Sequence, residues 1–174
     1  MTASPFLDAL GAGGPAADRA GKMDLYGRFV GSWDFDVTQL RDDGSKCQRK
    51  GEWHFGWALE GRAVQDVWIV PARPDRRWPP CARNLYGTTL RVYDPAADAW
   101  NVTWINPPNG AFTRLVGRRE GERIVQLGED RDGRNRWIFQ AITPDSFHWT
   151  GEISTDGGRT WRLVAEFALR RVEP

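Results

Sequence analysis

Cysteine, lysine and histidine are scarce in this chain of 174 residues, which holds two cysteines, three lysines and two histidines. Cys47 and Cys81 are too few and too far apart for a disulfide framework or a zinc site, so two reduced thiols are expected. No spacing suits metal ligation, no nucleophile stands beside a base, and no glycine-rich phosphate loop is present. Neither a metal nor a cofactor is therefore expected. Net charge is nearly absent as well: a formal +1 gives no footprint for nucleic acid or an anionic membrane. No window approaches the ~20 consecutive apolar residues of a membrane-spanning helix. The opening residues, MTASPFLDALGAGGPAADRAG, lack both a basic start and a continuous apolar run, so they are not a secretory signal. A cytoplasmic protein is the expectation. The Asn101-Val102-Thr103 sequon carries no weight without such a signal.

Tryptophan, by contrast, is abundant: the chain has ten. Trp on a strand face usually marks core, and this many point to a roomy aromatic interior. The clearest stretch is Gly51 to Val70, GEWHFGWALEGRAVQDVWIV, which reads as two strands joined at Glu60-Gly61. Trp53, Phe55 and Trp57 recur at period two, as one strand face requires. A hairpin centred on that turn pairs Trp57 with Val64, Phe55 with Asp66 and Trp53 with Trp68.

Residues 1–21, rich in Gly, Ala and Pro, read as a flexible arm with one helical turn near Phe6 to Leu10. Lys22 to Val30 suits a short helix ending at Gly31, and the domain runs from residue 22 to residue 174. Beyond Gly31 the chain is strands and turns. About ten strands, spaced roughly every twelve residues, predict an all-β antiparallel meander barrel behind a short N-terminal helix. Ala72 to Arg83 is the exception: a long connection with three prolines, four arginines and Trp78, expected to cover one barrel mouth with Trp78 over the opening.

Pairing outward from each later turn extends one face through the barrel. It pairs Tyr93 with Trp100, Arg91 with Val102 and Thr89 with Trp104. It then pairs Trp104 with Phe112, Val102 with Arg114, Leu127 with Trp137, Phe139 with Trp149, and Ile153 with Trp161. Every tryptophan but Trp78 falls on that face, with Asp66, Arg91 and Arg114 as its charges and Thr89 and Tyr93 nearby. His54, His148, Glu152 and Glu166 fall outside.

Gly31-Ser32-Trp33 at the first strand, the short helix before it, the meander and the terminal Arg170-Arg171 pair resemble the calycin superfamily, which contains the lipocalins, the fatty-acid-binding proteins and the nitrobindin-like barrels. More narrowly, ALEGRAVQDVW, LRVYDPAADAWNVTWIN and DGGRTWRLVAEFALRR resemble the bacterial DUF1579-type family of lipocalin-like barrels. The resemblance implies that Trp33 and Arg171 close one barrel end together. It also implies a scheme like that of fatty-acid-binding proteins, with internal Arg and Tyr holding a carboxylate. A haem site of the nitrobindin kind needs an inward histidine, which this register does not supply.

Buried charges need partners, either each other or a ligand. The expected function is therefore binding of a small, mostly apolar, anionic molecule in the aromatic cavity. The expected site is Asp66, Arg91, Arg114 and Tyr93 with Trp53, Trp57, Trp68, Trp104 and Phe112. An internal Asp–Arg salt bridge is the competing account of the charges. Two other functions stand beside it. One is a cyclase, isomerase or lyase using Asp66 as acid or base. The other is a homodimeric interaction module whose outer face includes His54, which shares that face with Glu52 and Gln65.

Overall fold

A computed structural model describes residues 4–76, 84–130 and 132–173. The elements are α1 (Pro5–Leu10), β1 (Gly11–Ala12), α2 (Ala20–Gly27), β2 (Gly31–Leu40), β3 (Lys46–Ala58), β4 (Ala63–Val70), β5 (Leu85–Asp94) and β6 (Ala99–Asn106). They continue as β7 (Ala111–Glu120), β8 (Arg123–Asp130), β9 (Gly133–Gln140), β10 (Ser146–Ser154) and β11 (Arg162–Arg171). Strands β2 to β11 form a meander in which each pairs antiparallel with its neighbours. The β11–β2 and β3–β4 ladders close it into a ten-stranded barrel, and β1 adds an extra strand along the end of β3. Closure removes the exposed edges that an open sheet of this size would present.

Residues 4–21, read from the sequence as an arm, run along the β3–β4 corner. Gly11 pairs with Ala58, and Ala16 N–H donates to the Gly61 carbonyl at 3.0 Å. Helix α2 begins two residues before the expected position and plugs one barrel end with Met23 and Tyr26, while Phe29 follows it inward. Two glycines make that docking possible. A Cβ on Gly27 would lie 2.2 Å from the Trp57 ring, and one on Gly117 would lie 2.3 Å from the Tyr26 hydroxyl.

The register holds where turns are tight. Trp53 faces Trp68 and Phe55 faces Asp66, and across the next hairpin but one Arg91 faces Val102. It slips after β6. Pro107–Asn109 form a turn of 3-10 helix and Gly110 is left-handed at φ 67°, so Asn106 pairs with Ala111 and Trp104 faces Thr113. A one-residue slip turns a strand over. Thr113, Leu115 and Gly117 therefore face inward, while Phe112, Arg114 and Val116 face solvent. On β8 it is Gln126, and not Leu127, that faces Trp137. A bulge after Gly151 also shifts β10 against β11, and Trp161 leaves the sheet. Its indole N–H donates to the Gly158 carbonyl at 3.1 Å, and the Arg136 guanidinium lies 4.3 Å above its ring.

Seven tryptophans thus lie in the buried core: Trp33, Trp53, Trp68, Trp100, Trp104, Trp137 and Trp149; Trp57 packs partly buried against them. They stack in two tiers. The tier beneath α2 joins Tyr26, Phe29, Trp33, Trp100, Phe139 and Phe147. The second tier joins Trp68, Trp104, Trp137, Trp149 and Phe167. Trp53 touches both, meeting Phe147 at 6.0 Å and Trp68 at 4.1 Å between ring centroids. Edge and offset ring contacts of this kind each add about 0.5–1.5 kcal/mol beyond area burial.

One further expectation changes, and another falls outside the described residues. Cys47 is bonded in a disulfide, so the reduced-thiol reading fails for it; the sequence's other cysteine, Cys81, lies outside the described residues. Distance along the chain does not measure distance in space, which is what a disulfide requires. Trp78 and most of the connection around it also lie outside the described residues. No helix among the described residues is long and apolar enough to cross a membrane.

Candidate functional site

Asp66 on β4 and Arg91 on β5 come together in the barrel, and neither side chain has solvent exposure. Their contact follows from the hairpin register, which sets Asp66 against Thr89 and Val64 against Arg91. One Arg91 Nη hydrogen-bonds Asp66 Oδ2, and the Thr89 backbone N–H donates to Oδ1 at 2.9 Å. Both carboxylate oxygens are engaged. The guanidinium carbon lies 5.0 Å from the Tyr26 ring, 5.4 Å from Phe55 and 5.8 Å from Phe139. Burial pushes the Tyr26 hydroxyl up to about 12, despite the nearby Arg91 charge. Asp66 and Arg91 therefore neutralise each other as a pair, the competing account given by the sequence.

The other expected members disperse. Arg114 and Phe112 sit together on the outer wall, with the guanidinium 5.4 Å from the ring. Tyr93 lies at the α2 end, its hydroxyl donating to Asp98 at 2.7 Å. Trp57 is pressed against Gly27. Trp53, Trp68 and Trp104 do line the interior, but rings fill it. Four surface concavities of about 370 to 940 Å³ are formed by the described residues, and none of these four is lined by Trp53, Trp68 or Arg91.

The barrel wall has a polar peculiarity that composition does not reveal. The indole N–H groups of Trp53, Trp68 and Trp149, the Thr89 hydroxyl, and Nε and the second Nη of Arg91 are buried without a hydrogen-bond partner among the described residues. Five of these six groups can only donate. Leaving a buried donor unmet costs roughly 1–3 kcal/mol. The three indoles are also mutual neighbours: Trp68 lies 4.1 Å from Trp53 and 5.0 Å from Trp149 between centroids. The connection between β4 and β5 leaves and re-enters the barrel at the end where Trp68 lies, since Val70 pairs with Leu85 and Trp68 with Gly87.

On the outside, His54 bonds through Nδ1 to Ser32 Oγ at 2.9 Å and through Nε2 to Glu52 at 3.1 Å. Burial works to raise the Glu52 carboxyl, but hydrogen bonds from Arg73 and His54 outweigh it and bring the group down to about 2. A carboxylate held this firmly by Arg73 is a poor base. Gln65 turns away to Thr88, at 3.0 Å, and His148 is exposed on the outer face. Among the described residues no group of three or more His, Cys, Asp or Glu side chains could hold a metal ion.

A closed ten-stranded meander with a short helix plugging one end and an arginine stacked on the first-strand Trp defines a calycin-like barrel. Arg171 plays the latter part, 4.2 Å above the Trp33 ring. Two solved structures share the architecture. The S-type phycobiliprotein lyase CPES from Guillardia theta superposes with a TM-score of 0.59 at 11% identity, over 92% of this chain and 99% of that one. Rv2717c from M. tuberculosis superposes with a TM-score of 0.60 at 13% identity, over 88% and 99%. No protein-family model and no curated protein matches the chain.

Proposed function

We propose that the barrel binds a small, flat, mostly apolar organic molecule that presents a neutral acceptor such as a carbonyl to the second aromatic tier. The observation that carries this reading is the cluster of buried donors on Trp53, Trp68, Trp149 and Thr89 that have no partner among the described residues. A guest with an acceptor atom would meet needs that the protein itself leaves unmet. Neutrality follows from the Asp66–Arg91 pair, which leaves no uncompensated positive charge inside; an unpaired anion there would carry a large desolvation cost. This departs from the anionic molecule expected from the sequence, because Arg114 faces outward. The rings of Trp104 and Trp137, the least buried of the tier at 5% and 8% exposure, would move aside to admit the guest. That a phycobiliprotein lyase is built on the same barrel is consistent with an organic guest, at the level of fold alone.

Tryptophan fluorescence titrations with coumarin, which has a carbonyl, and naphthalene, which is similar in size but has no acceptor, test the reading. One or two neutral hydrogen bonds should favour coumarin by about two- to tenfold. Trp68→Phe with Trp149→Phe leaves a smaller aromatic ring at each position and removes both N–H groups, and should erase that preference. Equal affinity for the two compounds in the unaltered protein, or a preference that survives the double change, would sink the proposal.

A further inference from the structure

A concavity of about 940 Å³ lies outside the barrel at the α2 end, between the residues leading into the helix and the β5–β6 and β7–β8 turns. Its floor is apolar: Trp100, Leu25 and the ring of Tyr93. Its walls are charged, and the charges do not cancel. Asp18 is engaged by Arg62 at 3.0 Å and by Arg19 at 3.6 Å. Asp98 accepts from Lys22 and from Tyr93, each at 2.7 Å, and these bonds hold its carboxyl below the usual range. That leaves Arg118 and Arg119, neighbours at the end of β7, and neither forms a close ion pair among the described residues. Arg119 continues the inward row of Leu115 and Gly117 past the rim, so it reaches over the cleft from the barrel side. Arg118 reaches it from the outer side, close enough to help depress Asp98.

Two arginines that reach one cleft from either side, beside an apolar floor, match a molecule with a compact dianionic head and an aromatic or aliphatic body. Guanidinium pairs suit phosphate because their planar donors meet two oxygens at once. The volume lies within the usual range for small-molecule sites, roughly 300–1,000 Å³. We infer that this cleft is a second binding site, distinct from the barrel interior, for a small phosphate monoester, with Arg118 and Arg119 holding the phosphate and Trp100 and Leu25 carrying the organic body.

Phenyl phosphate is the probe, and backbone amide chemical shifts of the full chain are the readout. Saturable shifts should concentrate at residues 17–22, 97–100 and 117–119. Arg118→Gln and Arg119→Gln should each weaken binding by about tenfold, in keeping with loss of a charge-assisted hydrogen bond. Arg114→Gln, an exposed arginine on the outer wall of the same strand, should leave it unchanged. Inorganic phosphate should bind at least several-fold more weakly because it lacks the body. All three arginines are exposed, so the variants should fold normally. Shifts spread evenly over surface arginines, equal weakening by Arg114→Gln, or equal affinity for inorganic phosphate would each overturn the inference.

Discussion

The two aromatic tiers of the barrel are built from the same residue types and satisfied to different degrees. Beneath α2, the Trp33 indole N–H donates to the Phe29 carbonyl at 2.7 Å, and the Gln126 amide donates to the Tyr26 hydroxyl at 2.8 Å, although Gln126 Oε1 has no partner among the described residues. Arg171 ties the same end together, donating to the carbonyls of Arg28 at 2.8 Å, Val30 at 2.9 Å and Pro144 at 2.7 Å. In the second tier, Trp68 and Trp149 have no partner for their N–H groups among the described residues, and neither has Trp53 where it bridges the tiers. The difference teaches where a packed aromatic core is structural and where it retains binding capacity. A ring whose polar edge is bonded is committed to the fold. One whose buried edge is unmet is a place where an acceptor would be welcome.

The largest blow to the arrangement should come from the buried pair between the tiers. Arg91→Met strands the Asp66 carboxylate in an aromatic interior and should cost about 3–5 kcal/mol in urea unfolding. Arg91→Met combined with Asp66→Leu should recover much of that. If the single change costs under ~1 kcal/mol, the pair is not what holds this part of the core.

Acid should act next, at the outer wall beside the connection from β4. Glu52 titrates at about 2 in the fold against an ordinary 4.5. A depressed carboxyl contributes its full stabilisation above the ordinary value and loses it as pH falls toward the folded value. Unfolding free energy should therefore drop between pH 4.5 and 2 by up to about 3 kcal/mol from this group. Arg73→Ala should flatten that slope, which circular dichroism melts across the window would reveal.

At the satisfied end, Gly117→Ala should cost about 1–3 kcal/mol, because the new methyl meets the Tyr26 hydroxyl and pushes α2 outward. A thermal melt indistinguishable from that of the unaltered protein would mean that α2 docks more loosely than the contacts imply.

The smallest changes make the sharpest contrast. Trp33→Phe removes a donor from the Phe29 carbonyl and should cost about 1–2 kcal/mol beyond the packing loss. Trp149→Phe removes a donor that has no partner, so its polar part should be neutral or gain as much as ~1 kcal/mol. Equal penalties in the two tiers would erase the distinction between them.

Local periodicity carried the reading a long way. Tight turns such as Glu60-Gly61 and the β5–β6 corner fix which residues oppose one another, and from them the inward row of Trp53, Phe55, Asp66, Arg91 and Trp104 was legible. The Asp66–Arg91 contact was foreseeable for the same reason. Arg114 and Phe112 were misplaced because the turn of 3-10 helix at Pro107–Asn109 changes strand parity by one residue, and nothing in the alternation of β7 betrays the slip. Trp161 escaped through a bulge, for which Gly151 alone was a weak signal.

What the amino-acid order determined by itself was the strand-and-turn grammar, the aromatic interior and the plugging helix, all of which rest on contacts near in sequence or on period-two patterning; the closing Trp33–Arg171 pair, 138 positions apart, was implied only by the resemblance to calycin barrels. Only the tertiary structure decided three other things: that the rings fill the barrel, that particular indole edges go unmet, and that Arg118 and Arg119 overlook a cleft formed with residues almost a hundred positions earlier. Those properties depend on closure, where the stagger of the strands and the angle of α2 bring distant side chains into one place, and closure is not written in any local stretch of the chain.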